Sequence, residues 1–343
     1  MRTPEFYQRH LDAVSRSFAL CIPQLQAPFR QQVALSYLLF RILDTVEDAT
    51  FPDRTLQQRQ FDRFRQFLLA PPSRAEVDAF RNSFPAGVTD AERGLLADTA
   101  IFLEDAHELP PEPRGVILGA LDRMARGMAV YELRPAPLRL LDLEDVCRYC
   151  CIVAGLVGEL LTNLWALGGD DPPRMLSAYR FGLFLQKVNI LKDQREDEAA
   201  GRFLVPDRRE ILSSLGPDAE GALSYLTSLP ESERGYRIFC AWSLMLGAAT
   251  LGQLDGPRES RRAQTMGLLG RTAEIAQDND ALRALFAALL PKLPEVRPGA
   301  PMAKPESAEW FVRTLAAPLS EEELVKLGTL RAARRPAVVA AGQ

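Results

Sequence analysis

Histidine is scarce in this chain of 343 residues, which contains only His10 and His107. The two lie far apart in sequence, so catalysis or metal binding based on histidine is nearly excluded. Any metal ion must then be held by carboxylates, which favours a hard cation such as Mg²⁺ or Mn²⁺.

Cysteine gives no indication of cross-links. The five cysteines are odd in number and unevenly spaced, which predicts reduced thiols in a cytosolic setting. Cys147, Cys150 and Cys151 have part of the spacing of a zinc site, but no second pair of ligands follows. Buried helical thiols are the better interpretation of this cluster.

Basic stripes and targeting segments are also missing. A net charge of −4 without a basic stripe gives no indication of nucleic-acid binding. The N-terminal segment has no apolar signal core, and the C-terminal segment has no hydrophobic anchor. The longest apolar run, 150–169, has the length of a membrane span, but Glu159 and Asn163 interrupt it, so we expect a buried helix of a bundle. These features predict a cytoplasmic protein, and no oligomer is predicted.

Alternating β-type patterns and hairpin signals are essentially absent, whereas apolar residues recur with the helical period almost throughout. We therefore predict an all-α protein. The expected helices are 5–21, 29–47, 56–69, 91–106, 113–133, 143–166, 173–197, 219–226, 235–253, 261–276 and 279–290. A main domain, 1–290, would precede a Pro-rich linker, 291–306, and short helices with a mobile tail, 307–343.

One acidic pattern, D-x-x-E-D, occurs twice, and each copy closes an apolar helical run. In a chain with 45 acids, one copy would arise by chance about once. Two copies with the same residue order are much harder to explain by chance. The acids are Asp44, Glu47 and Asp48 in the first copy and Asp193, Glu196 and Asp197 in the second.

Residues at i, i+3 and i+4 share one helix face, so each copy presents three carboxylates together. If the two helices face each other, these acids repel unless cations neutralise them. Mg²⁺ suits such a site because it takes one or two carboxylates and keeps positions for water and phosphate. Taken singly, each nearby base is best explained as a surface ion-pair partner, but together they would stabilise a departing diphosphate. These bases are Arg16, Arg41, Lys192 and Arg202.

Departure of a diphosphate would leave a carbocation, which needs an apolar cavity that excludes water. The runs before both acid clusters are apolar, and the small residues Ala154, Gly155 and Gly158 would let neighbouring backbones approach. Small residues on a buried helix are also ordinary packing, so this observation proves little alone.

These motifs resemble the squalene synthases, within the squalene/phytoene synthase family of head-to-head prenyl transferases. The resemblance extends from about residue 6 to about residue 251 and is weaker in FCAWSLMLGAATL (239–251). Its main segments are SRSFAL (15–20), YLLFRILDTVED (37–48), YCCIVAGLVGELL (149–161) and FGLFLQKVNILKDQREDEAAGRFLVP (181–206).

The resemblance implies an isoprenoid synthase helical bundle with a central cavity, in which 1–290 is the catalytic domain. It also implies Mg²⁺-dependent condensation of two farnesyl diphosphates to presqualene diphosphate, followed by NADPH-dependent reduction to squalene. Without a C-terminal anchor, the chain looks like a bacterial-type form that is soluble or peripheral to the inner face of the membrane.

Individual residues acquire roles from the same resemblance. Tyr149 would assist proton removal during cyclopropane formation, and Tyr37 would lie near the reacting carbons. The expected ligands of Mg²⁺ and diphosphate are Asp44, Glu47, Asp48, Asn189, Asp193 and Asp197, with Gln186 nearby. Arg16 and Arg41 would contact the phosphates of substrate or cofactor, and Arg202 would be available to diphosphate. The full set of expected substrate- or cofactor-binding residues is Ser15, Arg16, Ser17, Phe18, Arg41, Gln186, Asn189, Lys192 and Arg202.

The chain departs from the family pattern at Lys192, after Leu251, and at Cys151 and Ile152, which replace a His-Tyr pair of the animal enzymes. Lys192 stands where related enzymes commonly have Arg, which keeps the charge but loses the bidentate fork. After Leu251, the aromatic and Lys-rich segment that accompanies nicotinamide use in the animal enzymes is missing. A non-reducing relative that makes dehydrosqualene or stops at presqualene diphosphate is therefore the second hypothesis.

Two further hypotheses are weaker. A non-catalytic scaffold member of the family would typically lose the acid motifs, whereas both are intact here. A head-to-tail prenyl elongase usually carries D-D-x-x-D, and the D-x-x-E-D order speaks against it.

Overall fold

The computed structural model describes residues 1–15, 17–132, 134, 137–169, 173–254 and 261–295, the side chains of 261–263 excepted. Within these ranges, helices joined by turns and loops make up the protein, and one pair of two-residue strands is present. The all-α prediction is therefore confirmed. The described residues end at 295. Most of the predicted linker, 291–306, and all of the predicted tail, 307–343, therefore lie outside them.

The helices follow the apolar periodicity, since each can bury one face against its neighbours. In chain order they are α1 (Pro4–Val14), α2 (Phe18–Cys21), α3 (Phe29–Asp48), α4 (Arg54–Leu69), α5 (Arg74–Arg81), α6 (Asp90–Ala97), α7 (Thr99–His107), α8 (Pro111–Glu132), α9 (Leu143–Cys150), α10 (Leu156–Ala166), α11 (Met175–Lys192), α12 (Gln194–Ala199), α13 (Arg208–Ser228), α14 (Arg234–Leu251), α15 (Arg261–Glu274) and α16 (Asn279–Leu289). A 3-10 turn covers Ile22–Gln24, and a π-helical segment, Cys151–Gly155, joins α9 to α10. Strands β1 (Leu138–Arg139) and β2 (Arg202–Phe203) pair in parallel.

Three predicted helices are interrupted in the structure. The helix expected over 5–21 ends at Val14, where Ser15 adopts an extended backbone. The helix expected over 91–106 divides at Asp98. The helix expected over 173–197 divides at Asp193, whose backbone leaves the helical region with φ −97° and ψ 9°. Apolar periodicity continues through each break, so it could not locate them.

Local polar signals define two helices better than periodicity did. The helix predicted over 219–226 is part of the longer α13, which begins after Asp207, whose carboxylate accepts N–H groups from Arg209 and Glu210. Helix α5 was not predicted, although Ser73 and Glu76 form a capping box at its start.

Helix α11 packs against α9, α10, α13 and α14, and it ends at Asp193, the first residue of the second acid cluster. It meets the neighbouring helix backbone to backbone at two glycines. A Cβ at Gly182 would lie 2.3 Å from the Ala154 carbonyl oxygen, and one at Gly158 would lie 2.2 Å from that of Ala178. This contact agrees with the predicted close approach at small residues.

Helix α9, the π-helical segment and α10 follow one another without a break over Leu143–Ala166. Among the described residues, this is the one helical stretch long and apolar enough to cross a membrane. Its most apolar window is 67% buried inside the protein. The five cysteines are all free and buried, and burial raises the pKa of the Cys21 thiol to about 12. These thiols therefore behave as packing groups, as predicted.

Candidate active site

An apolar cavity of about 310 Å³ lies between α3, α10, α11 and α14. We refer to it as the main cavity. Its lining is largely aliphatic and aromatic, and the π-helical segment contributes Val153 and Ala154. Its charged and amide lining groups lie towards the C-terminal ends of α3 and α11, and they form what we term the mouth: Arg41, Asp44, Gln186 and Asn189. Such a cavity suits a ligand with a hydrocarbon chain and a charged head.

The predicted segment 15–18 lies beside this cavity. The Phe18 ring packs 4.9 Å from that of Tyr37, and both residues line the cavity. The Ser15 hydroxyl accepts the Phe18 N–H at 3.0 Å, which holds the start of α2. Burial raises the pKa of Tyr37, so its phenol stays neutral. Ser17 is exposed, and Arg16 lies outside the described residues.

The first acid cluster occupies the last turn of α3, where the helix dipole disfavours negative charge. Asp44 lines the cavity, and its carboxylate lies 3.8 Å from the Arg41 guanidinium. Desolvation and the neighbouring acids Asp48 and Glu47 raise the pKa of Asp44 to about 8. Desolvation and Glu47 raise the pKa of Asp48 to about 6. Negative charge is therefore crowded at this helix end.

Glu47 is buried and belongs to a hydrogen-bonded group that we term the Arg202 network: Glu47, Glu132, Tyr149 and Arg202. The guanidinium of Arg202 lies 2.8 Å from both carboxylates and donates to the Tyr149 hydroxyl at 3.2 Å. Tyr149 in turn donates to Glu47 at 3.1 Å. Desolvation and Glu47 hold the pKa of Tyr149 well above its usual range, so it is a neutral donor.

A local turn brings Arg202 to this position. Gly201 has φ +79°, a conformation that glycine adopts without strain, and it ends the turn after α12. Strand β2 then pairs with β1, with Arg202 opposite Leu138. The chain therefore folds back towards the C-terminal end of α8, which carries Glu132.

The second acid cluster straddles the junction between α11 and α12. The Asp193 carboxylate lies 2.9 Å from the Lys192 ammonium. Desolvation raises the pKa of Asp197, and the negative charges of Asp193 and Glu47 raise it further. The positive charge of Arg202 acts in the opposite direction. Asp197 therefore experiences the charges of Glu47 and Arg202, which places it in electrostatic range of the Arg202 network. Tyr149 belongs to the same region, not to the lining of the cavity.

Carboxylate and amide oxygens at this site fit a hard divalent cation. In the described ranges no group of three or more Asp, Glu, His or Cys side chains is arranged to hold a metal ion. Mg²⁺ commonly takes only one or two carboxylates together with water and substrate phosphate. Asp44 and Asp48 on one side, and Asp193 and Asp197 on the other, could each supply such a pair, and the crowded charge favours cation binding.

Sequence patterns missed two acids at the site. Glu92 lies 2.6 Å from Arg41, but in sequence it is the last residue of a capping box that begins at Thr89. Glu132 ends α8 and has no sequence signal of its own. Only tertiary contacts could identify either residue.

The helical fold, the apolar cavity and the acidic groups at its mouth define a protein of the isoprenoid synthase class. A family model described as squalene/phytoene synthase matches residues 11–266, and the chain belongs to this family.

Individual relatives agree with this assignment. A squalene synthase of Eremothecium gossypii is 35% identical over 283 residues, which cover 72% of this chain and 61% of the relative. One of Saccharomyces cerevisiae is 34% identical over 231 residues, covering 65% of this chain and 48% of the relative. The chain thus spans about half the length of these relatives. The solved complex of TcSQS with the ligand BPH1237 is similar, with a TM-score of 0.68, 25% identity, and coverage of 92% of this chain and 99% of that chain.

Proposed function

We propose that this protein is a squalene synthase, which condenses two farnesyl diphosphates to presqualene diphosphate and then reduces it to squalene. The main support is the apolar cavity with Asp44 and Asn189 at its mouth, together with Asp197 of the second acid cluster, which experiences the charges of Glu47 and Arg202. Farnesyl chains would occupy the apolar walls, and their diphosphates would lie at the mouth.

Mg²⁺, held by Asp44, Asp48, Asn189, Asp193 and Asp197, would supply charge neutralisation of the departing diphosphate. Arg41 and Lys192 would contact diphosphate oxygens, since both lie beside these acids. The cavity walls would exclude water from the allylic cation that forms when the first C–O bond breaks.

Tyr149 would take part in the proton removal that closes the cyclopropane ring. The second farnesyl double bond attacks the cation, and one carbon must then lose a proton. A neutral phenol is a poor base, but Tyr149 can accept a proton on oxygen as its own passes to Glu47, 3.1 Å away. Arg202 would hold both groups in position through its contacts at 2.8 and 3.2 Å.

The reductive half of the proposal rests on the family, whose squalene-forming members use NADPH. Residues 255–260, which follow α14, lie outside the described residues. We therefore assign no residue to the nicotinamide.

Product identification tests the proposal directly. Purified protein would be incubated with farnesyl diphosphate and Mg²⁺, with and without NADPH, and the products separated by chromatography with mass spectrometry. Squalene that forms only when NADPH is present is the expected result. Omission of Mg²⁺ with added chelator should abolish all products.

The second candidate is a non-reducing relative, which the altered segment after Leu251 favours. Dehydrosqualene as the sole product, independent of NADPH, would establish it and reject squalene synthesis. The absence of any C30 product under either condition would favour a non-catalytic scaffold member.

We further propose a cytoplasmic protein with peripheral contact to the inner face of a membrane, because squalene is too apolar to remain in water. Sedimentation with phospholipid vesicles would test this contact, and protein that stays wholly in the supernatant would contradict it.

A further inference from the structure

A second cavity of about 350 Å³ lies at the end of the bundle remote from the acid clusters. We term it the far cavity. Aliphatic and aromatic side chains provide much of its lining, with Gln32 on the α3 wall and two acids, Glu112 and Glu233. Its principal apolar residues are Leu25, Phe29, Leu164, Trp165 and Tyr236.

Three helices place the far cavity directly behind the main cavity. On α3, the main cavity is lined over 33–44 and the far cavity at 29 and 32. On α10, residues 157–161 line the main cavity and residues 164–165 line the far cavity. On α14, residues 239–243 line the main cavity and residues 235–236 line the far cavity. The steps on α10 and α14 are each about one helical turn, or about 5.4 Å, whereas on α3 the two linings meet at the adjacent residues Gln32 and Val33. The two cavities therefore follow one another, and the far cavity lies opposite the Asp44 end.

The wall between them is one layer of side chains. Tyr225 lines the main cavity and Tyr236 the far cavity, and their hydroxyl oxygens lie 2.6 Å apart. Thr162 donates to the Gly158 carbonyl at 2.8 Å and lies 3.0 Å from the Tyr225 hydroxyl. Tyr225 can thus donate to Thr162 while it accepts from Tyr236.

Aromatic rings complete this wall. The Tyr236 ring lies 4.9 Å from Trp165 and 5.0 Å from Phe29. The Trp165 indole nitrogen is buried and has no hydrogen-bond partner among the described residues. Rotation of the indole would therefore break ring contacts but no indole hydrogen bond, whereas rotation of Tyr236 would also break its hydrogen bond to Tyr225.

We propose that the far cavity receives isoprenoid hydrocarbon from the main cavity when Tyr236 and Trp165 turn aside, and that the hydrocarbon product leaves by this route. The inference rests on the proposed function. At the mouth of the main cavity, a hydrocarbon would have to pass charged groups such as Arg41 and Asp44. The far cavity instead offers aromatic and aliphatic surface, which stabilises an apolar chain.

A plugged variant tests the route. Gln32→Phe fills the far cavity from α3, and Gln31→Phe is the matched control because Gln31 lines a different surface pocket. In Gln32→Phe we expect an unchanged single-turnover rate with farnesyl diphosphate but a steady-state rate at least about fivefold lower, because product release becomes limiting. Gln31→Phe should change neither rate. Equal losses in both rates of Gln32→Phe, or no loss in either, would overturn the proposal.

A binding measurement separates this inference from the proposed function. The chain has three tryptophans, so Trp242→Phe/Trp310→Phe leaves Trp165 as the only one. Squalene in detergent micelles should change the fluorescence emission of Trp165 in this single-tryptophan protein. When Gln32→Phe is introduced into the same protein, the change should be abolished, whereas Gln31→Phe should leave it intact. The same emission change in the single-tryptophan protein and in both of its glutamine variants, or no change in any of them, would contradict binding of hydrocarbon in the far cavity. If the parent protein makes no C30 product, the proposed function is rejected. The emission measurement would still show whether the far cavity binds hydrocarbon. Circular dichroism and melting temperature would confirm that each variant is folded.

Discussion

Arg202 and Glu47 are 155 residues apart in sequence, yet the guanidinium lies 2.8 Å from the carboxylate. The pair links the end of α3 to the turn after α12, so it joins the two acid-bearing segments. Both side chains are largely buried, with 16% and 6% exposed. Because Arg202 also serves Glu132 and Tyr149, it sets the relative position of groups that the proposed chemistry requires.

Arg202→Lys should therefore reduce turnover strongly while the protein still folds. A lysine keeps the charge but cannot donate to Glu47, Glu132 and Tyr149 in one planar arrangement. We expect kcat to fall by about 10²-fold, by analogy with the loss of one preorganised donor. Arg209→Lys, on the exposed start of α13, is the control and should leave kcat unchanged. Near-normal turnover in Arg202→Lys would contradict a positioning role for the guanidinium.

Asp44→Asn and Asp193→Asn should each abolish turnover without loss of helical structure. Each substitution removes a carboxylate from the expected site of Mg²⁺ and diphosphate, and we expect losses of more than about 10³-fold. Turnover with farnesyl diphosphate and far-ultraviolet circular dichroism would be measured together, with exposed Asp62→Asn as the control. Near-normal activity in either variant would reject the carboxylate site.

Asp44→Asn carries a second expectation, for stability. The pKa of Asp44 is raised in the folded protein, so its ionised form is disfavoured by folding at neutral pH. Asparagine removes that charge, and the metal-free variant should therefore melt at the same temperature as the parent or higher. A clearly lower melting temperature, measured in chelator, would show that the Asp44 charge stabilises the fold.

Lys187 and Asp218 form a fully buried ion pair between α11 and α13, with 2.7 Å between nitrogen and oxygen. Lys187→Met leaves the carboxylate buried without its partner and should lower the free energy of unfolding by about 3–5 kcal/mol. The double variant Lys187→Met/Asp218→Leu should recover most of this loss. Urea unfolding would measure both, with Arg283→Met, from an exposed pair, as the control. If the double variant is as unstable as the single one, the loss of stability in Lys187→Met comes from altered packing and not from the unpaired charge.

Gly182→Ala should destabilise the contact between α11 and the π-helical segment. The added methyl would meet the Ala154 carbonyl oxygen, so the backbones must separate, at a cost of about 1–3 kcal/mol. Gly216→Ala, in α13 with open space around the new Cβ, should instead gain about 0.5–1 kcal/mol. Thermal melts of the two variants that shift in the same direction would contradict this difference.

Periodicity predicted the helical class and most helices because a helix that buries one face must repeat its apolar residues at a fixed spacing. It could not locate the break at Asp193, because polar caps and φ/ψ values, not apolar spacing, end a helix. The segment 208–218 was missed for a related reason. Its polar positions and Pro217 obscured the pattern, although tertiary packing keeps it helical.

The acidic character of the proposed site was also predicted from the sequence. The repeated D-x-x-E-D order identified both acid clusters because residues at i, i+3 and i+4 share a face. Its resemblance to one family then implied the substrates. The same spacing could not show which acids would face the cavity and which would pair with arginine, since those contacts join distant segments.

The sequence by itself therefore determined what is local: helix formation and the spacing that groups the acids. Only the tertiary structure decided that Glu47 pairs with Arg202, that Glu132 and Glu92 lie at the site, and that two cavities follow one another behind Asp44. Local spacing follows from the geometry of a single helix. Contacts between remote segments depend instead on how the helices pack, and composition does not encode that packing in any short pattern.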